Sequence, residues 1–182
     1  MKELEELKSR MGSQRPAEWG ELPDLSLYMD QVIGYMPRQL IRYGEEERLT
    51  SAMVNNYIKD GLLPRAEGKR YNKDHLAYLT AICALKQVLP VKDAGLLAAP
   101  KEGQEVEEGY EEFRIQLDRA LNETAQALET DIQREELPRL ALALALRSYA
   151  DKLACQRMID LIRDGEPSTD KKTKKGKEKK HE

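Results

Sequence analysis

The chain has 182 residues, of which 40% are hydrophobic and 35% charged, with a formal net charge of −3. That is enough for one ordinary domain or a small domain with an appendage. No apolar run reaches the roughly 18 residues of a membrane span, and the N-terminus lacks the apolar core of a signal peptide, so a soluble, cytoplasmic protein with no membrane partner is expected.

Residues 1–22 form an N-terminal extension, a short charged helix (Leu4, Leu7, Met11) and a connection through Gly12, Pro16 and Gly20. The first strong helical pattern runs from Leu25 to Tyr43, with Asp24 or Ser26 as cap and Pro37 as a kink or break. Gly44–Arg48 reads as a loop. Thr50 or Ser51 then caps a second helix through Asp60, and Gly61, with Pro64 soon after, stops it. Pro64–Asn72 is turn-rich, and Glu67-Gly68 suits a hairpin turn between two very short strands. Asn72 or Asp74 starts a third helix, Pro90 breaks it, and Val91–Ala98 gives a short fourth.

Lys101–Glu108 is a charged linker. An amphipathic helix follows through Tyr110, Phe113, Leu117, Leu121, Ala125 and Leu128. A last helix spans about Glu135–Asp164; its run from Leu140 to Leu146 is apolar on most sides and is therefore expected to be buried. Residues 165–182 hold seven lysines, four acids and no apolar residue, and are expected to be disordered.

Cys83 and Cys155 lie within helical apolar patterns and read as buried reduced thiols. With only His75 and His181 besides, no metal-ligand spacing arises. Neither a metal nor a cofactor is expected. Catalytic signatures such as a glycine-rich phosphate loop or HExxH are absent from the sequence, and an enzyme is not expected. Glu107, Glu108, Glu111 and Glu112 read as a solvated helix face.

Charge is unevenly spread. From Lys59 to Lys92 seven basic residues stand against three acids, an excess of +4; from Lys101 to Glu136 twelve acids stand against four basic residues, or −8. A basic segment beside an acidic one fits local phosphate contact by the first.

The segments Val54-Asn55-Asn56-Tyr57-Ile58-Lys59-Asp60-Gly61-Leu62-Leu63-Pro64 and Gly68-Lys69-Arg70-Tyr71 resemble the MerR-like winged helix of bacterial regulators. Leu27-Tyr28-Met29-Asp30-Gln31-Val32, Met53-Val54-Asn55-Asn56-Tyr57 and Leu85-Lys86-Gln87-Val88-Leu89 resemble the bacterial domain of unknown function 1836 family. The resemblance covers about residues 23–99. It implies a mainly α fold: a winged helix-turn-helix with a small β-hairpin wing, followed by a two-helix C-terminal region at about 100–164. It also implies transcription regulation, with the chains paired as a homodimer through the C-terminal helices. Asn55 and Asn56 stand where such proteins carry Arg and Tyr, so their phosphate contacts do not carry over.

On that plan the second helix enters the major groove of double-stranded DNA. Ser51, Asn55, Asn56 and Lys59 share one face at i, i+4, i+5 and i+8, and an Asn amide pairs with adenine through N6 and N7. Tyr57 lies toward the core with its hydroxyl near a phosphate. Arg65, Lys69 and Arg70 on the wing meet the backbone or minor groove, and Tyr71 ends the wing, reading first as a core plug. For Arg70 an ion pair with Asp60 or Asp74 is the competing structural role. The alternative function is a protein–protein interaction module without DNA binding. An effector between the C-terminal helices is open, since no polar constellation marks one.

Overall fold

The computed structural model describes residues 2–41 and 48–165. The Gly44–Arg48 loop, except Arg48, and the Lys-rich tail after Gly165 lie outside the described residues. Seven α-helices occur among the described residues: α1 (Lys2–Ser13), α2 (Met29–Tyr35), α3 (Ser51–Lys59), α4 (Lys73–Leu85), α5 (Val91–Ala98), α6 (Val106–Ala127) and α7 (Leu137–Gly165). None is long and apolar enough to cross a membrane. The chain divides into two units, Met1–Glu136 and Leu137–Glu182.

The expected β-hairpin wing is not there. The described residues contain no β-strand, only isolated bridges between Leu27 and Tyr71 and between Glu67 and Arg70. The fold is therefore helical, and the winged-helix expectation is corrected. The cause is local. Glu67 and Arg70 exchange both backbone hydrogen bonds, at 3.1 and 2.9 Å, around Gly68 and Lys69, whose φ values are +56° and +63°. Positive φ at both central residues is the type I′ turn. One residue further, Tyr71 turns to Leu27 instead of extending the hairpin, exchanging two bonds of 2.8 Å with it. The same pairing shortens the first predicted helix. Leu27 is held extended, so α2 starts only at Met29, capped by the Gln31 side chain accepting from the Tyr28 N–H (2.9 Å) rather than by Asp24 or Ser26. Pro37 then lies in a 3-10 turn, Met36–Arg38, where α2 ends.

Other boundaries follow the sequence. The Thr50 hydroxyl accepts from the Met53 N–H and starts α3. Gly61 at φ +74° ends it, and the N–H groups of Leu62 and Leu63 both donate to the Tyr57 carbonyl (2.8 and 3.2 Å). Asn72 caps α4. Leu63, Val54, Tyr57, Tyr71, Leu76, Leu79 and Ile82 fill the core with Val32 and Met36. Leu62 seats against α5 where a Cβ on Gly95 would stand 2.6 Å from its Cδ2.

The N-terminal extension is anchored. Lys8 donates to the Leu128 carbonyl (2.7 Å), and Arg15 bonds Asp118 (2.5 Å) and Asn122 (2.7 Å) on α6. Tyr110, buried, donates its hydroxyl to the Ala17 carbonyl at 2.8 Å and packs beside Trp19 and Phe113. The acidic face of α6 is partly committed to such contacts. Glu111 accepts from the Trp19 N–H and pairs with Arg114, and Glu112 pairs with Lys101. That corrects the expectation of a merely solvated face for Glu111, which is half-buried, whereas Glu112 is exposed as expected.

α7 departs from expectation in burial. Leu142, Leu144 and Leu146 are about half exposed or more, and every residue from Ala141 to Ala150 is exposed. Alternating Leu and Ala at 100° per residue spreads the leucines around the helix. Of the two thiols, Cys83 is buried and Cys155 half-buried, with no disulfide.

His75 is buried at the start of α4. Its backbone N–H donates to the Asn72 side chain (3.3 Å), and its Nδ1 lies against both the Asn72 N–H (3.2 Å) and the Asn72 Oδ1. Burial lowers its pKa, against the opposing pull of the Arg65 backbone and Asp74. The unfolded chain then binds a proton more readily than the folded one, so stability is full above the ordinary value of about 6.5 and falls as pH drops through it. Urea midpoints measured from pH 7.5 to 5.5 should decline, and the decline should shrink in His75→Gln. Separately, Gly95→Ala should cost about 1 kcal/mol in urea denaturation, since Leu62 must move off a well-packed site.

Candidate nucleic-acid interface

α3 separates its side chains cleanly. Val54 and Tyr57 are buried, Met53 and Ile58 half-buried, and Ser51, Asn55, Asn56 and Lys59 exposed. The four polar residues thus share the face away from the core, as their spacing predicts. No acid stands in the first turn of α3, and Lys59 lies in its last. Its N-terminal end, where Thr50 takes only the Met53 N–H, therefore keeps a partial positive charge, while Asp60, exposed at the other end, supplies a negative one.

Arg65, Lys69 and Arg70 are exposed on the segment that joins α3 to α4. Two of these cations are placed by the turn itself, since Lys69 and Arg70 are its last two residues. Arg70 does not take the ion pair considered for it. Its guanidinium lies 5.0 Å from the Tyr28 ring centroid and donates to the Tyr28 hydroxyl at 2.9 Å. Such stacking holds a planar cation in one orientation while leaving its charge at the surface. Lys73, the first residue of α4, is instead drawn to Asp24 (2.7 Å) and the Trp19 ring.

Two residues of the sequence-derived set fall elsewhere. Tyr57 and Tyr71 are each only 5% exposed and belong to the core. Burial pushes both hydroxyls above the ordinary tyrosine pKa. Tyr71 also packs edge-on against His75, with ring centroids 5.3 Å apart. Neither side chain reaches the surface to meet a phosphate. The plug role of Tyr71 stands, but beneath a turn rather than a wing. Conversely, nothing in the sequence singles out Tyr28 as a site residue. It lies some forty residues before Arg70, and only the Leu27–Tyr71 bridge brings the two together.

What the arrangement offers chemically is amide and hydroxyl donors and acceptors on one short helix face, with three cations on the adjoining segment. These groups suit hydrogen bonding to base edges and pairing with phosphate. They include no nucleophile–base pair.

Comparison with known proteins gives one match: residues 17–113 fit the family model described as Domain of unknown function (DUF1836). No curated protein and no solved structure matches the chain.

The turn carries a measurable strain. A non-glycine residue in the left-handed region costs on the order of 1 kcal/mol, so Lys69→Gly should raise stability by up to about that amount in urea unfolding. Lys69→Val should lower it, because a β-branched side chain tolerates positive φ least.

Proposed function

We propose that this chain, which belongs to the DUF1836 family, binds duplex DNA in a sequence-specific manner and acts in transcription regulation as a homodimer. The observation that carries the proposal is the outward face of α3, Ser51, Asn55, Asn56 and Lys59. A nine-residue helix whose opposite side is locked into the core presents these groups on a rigid support. In the major groove, the Asn55 and Asn56 amides would read base edges, adenine best. Arg65, Lys69 and Arg70 would contact phosphate and fix the register, with Tyr28 orienting Arg70. The N-terminal turn of α3 adds backbone donors of the right sign for a phosphate.

Net charge does not oppose this. The interface needs a local excess, and the acids are concentrated after Lys101, where several already pair with Arg15, Arg114 and Lys101. The protein then resembles other groove binders in using phosphate contacts for affinity and a few amides for selection.

Anisotropy of a labelled duplex pool that includes the gene's own upstream region, titrated at two salt concentrations, tests the proposal. Tight binding to particular duplexes, weakening with salt, is the expected result. Asn55→Ala with Asn56→Ala should reduce discrimination between duplexes by about 1–3 kcal/mol per lost amide contact. Arg70→Ala should weaken binding to all duplexes alike and lower the salt slope by about one phosphate. Absence of binding at low salt to every duplex would overturn the proposal.

A further inference from the structure

Ala52 is exposed in the first turn of α3 and points almost straight away from the core. Side chains turn about 100° per residue around a helix. Ala52 and Lys59 therefore each lie about 170° from the line midway between the buried Val54 and Tyr57. Asn55 and Asn56 lie about 130° from that line, one to either side. Alanine and lysine thus form the leading edge of the outward face, with an asparagine on each flank. Lys59 stands about 10.5 Å beyond Ala52 along the axis, in the last turn, where its flexible stem can swing to a phosphate. At the N-terminal end the leading edge is a bare methyl group.

That shortness matches its neighbours. An asparagine amide sits on a single methylene, so Asn55 and Asn56 touch base edges only if the helix lies deep in the groove. A helix about 10–12 Å across with its side chains enters a groove about 12 Å wide with little clearance. A long side chain on the leading edge beside the asparagines would hold the axis away, whereas alanine lets it in. Brought to the groove floor, the same methyl faces base edges, whose one apolar group there is the thymine C5-methyl. Ala52 precedes Asn55 by about 4.5 Å and Asn56 by about 6 Å along the axis, against about 3.4 Å between base pairs. The thymine it meets therefore stands about one or two base pairs from the adenine that an asparagine reads.

We infer that Ala52 sets the depth of α3 in the major groove and packs on a thymine C5-methyl, about one or two base pairs from an adenine read by Asn55 or Asn56. The inference rests on the DNA-binding reading above and narrows its target to duplexes carrying adenine and thymine at that spacing. Ala52 makes no side-chain hydrogen bond, and it contributes to selection by shape and apolar contact alone.

The tightest-binding duplex of the labelled pool is the probe, with each thymine replaced in turn by deoxyuridine, which lacks only the methyl. One replacement should weaken wild-type binding about fourfold, the worth of one buried methyl group. That position should lie about one or two pairs from an adenine whose exchange for 7-deazaadenine, which lacks N7, also weakens binding. Ala52→Gly should bind the thymine and deoxyuridine duplexes alike, and reading their ratio cancels any loss from a weaker helix. Ala52→Gln, which keeps good helix propensity at an exposed site, should weaken binding to the preferred duplex at least about tenfold with an unchanged circular dichroism spectrum. A deoxyuridine series without effect on the wild type, or an effect undiminished in Ala52→Gly, would overturn the methyl contact and leave DNA binding standing. Full-strength binding by Ala52→Gln would overturn the close approach. Failure of the wild type to bind any duplex at low salt would overturn the DNA reading, and the inference with it.

Discussion

The pairing of Leu27 with Tyr71 is the constraint on which the first unit turns. Two backbone bonds of 2.8 Å join a segment before α2 to the residue that precedes the cap of α4. They end the Glu67–Arg70 hairpin after a single bridge, delay α2 to Met29, bury the Tyr71 ring against His75 and bring Tyr28 beside Arg70. Backbone groups leaving solvent must find partners, and here the partner lies across the fold instead of along a strand. A pair of hydrogen bonds thus does the positioning that a sheet edge does in other folds.

A second organising element is the end of α3. Gly61 adopts a conformation open to few other residues, and the chain reverses over it so that Leu63 enters the core while Leu62 lies on α5 at Gly95. The helix is thereby gripped along its inner face by Val54 and Tyr57 and at its end by two leucines. Rigidity of the outer face follows. Side chains on a helix fixed in this way lose little further freedom on meeting a ligand, which reduces the ordering cost of recognition.

Electrostatically the molecule works by local allocation. The acids of α6 are strongly in excess, yet Glu111 and Asp118 serve to hold Trp19 and Arg15, and Lys101 keeps the Glu112 carboxyl below the usual range. The N-terminal extension is consequently part of the same unit as α3 and α4. Exposed pairs of this kind contribute little individually. With the buried Tyr110 hydroxyl bonded to Ala17 among them, they fix where the extension runs.

The sequence by itself determined most helix ends and the two sides of α3. Those features are set by short-range chemistry: Thr50 and Asn72 as caps, Gly61 as a stop, Pro90 preceding α5, and apolar spacing at Val54 and Tyr57. Membership of the family was also legible, from the segments around Tyr28, Asn55 and Lys86. Tertiary structure alone decided the rest. Whether Glu67–Tyr71 continues as a strand depends on what stands beside Tyr71, and that is Leu27, forty-four residues away in sequence. The same long-range contact chose Tyr28 as the partner of Arg70 and holds Tyr71 in the core. The exposure of α7 was hidden for a related reason: hydrophobicity records the tendency to be covered, and coverage depends on the presence of a second surface.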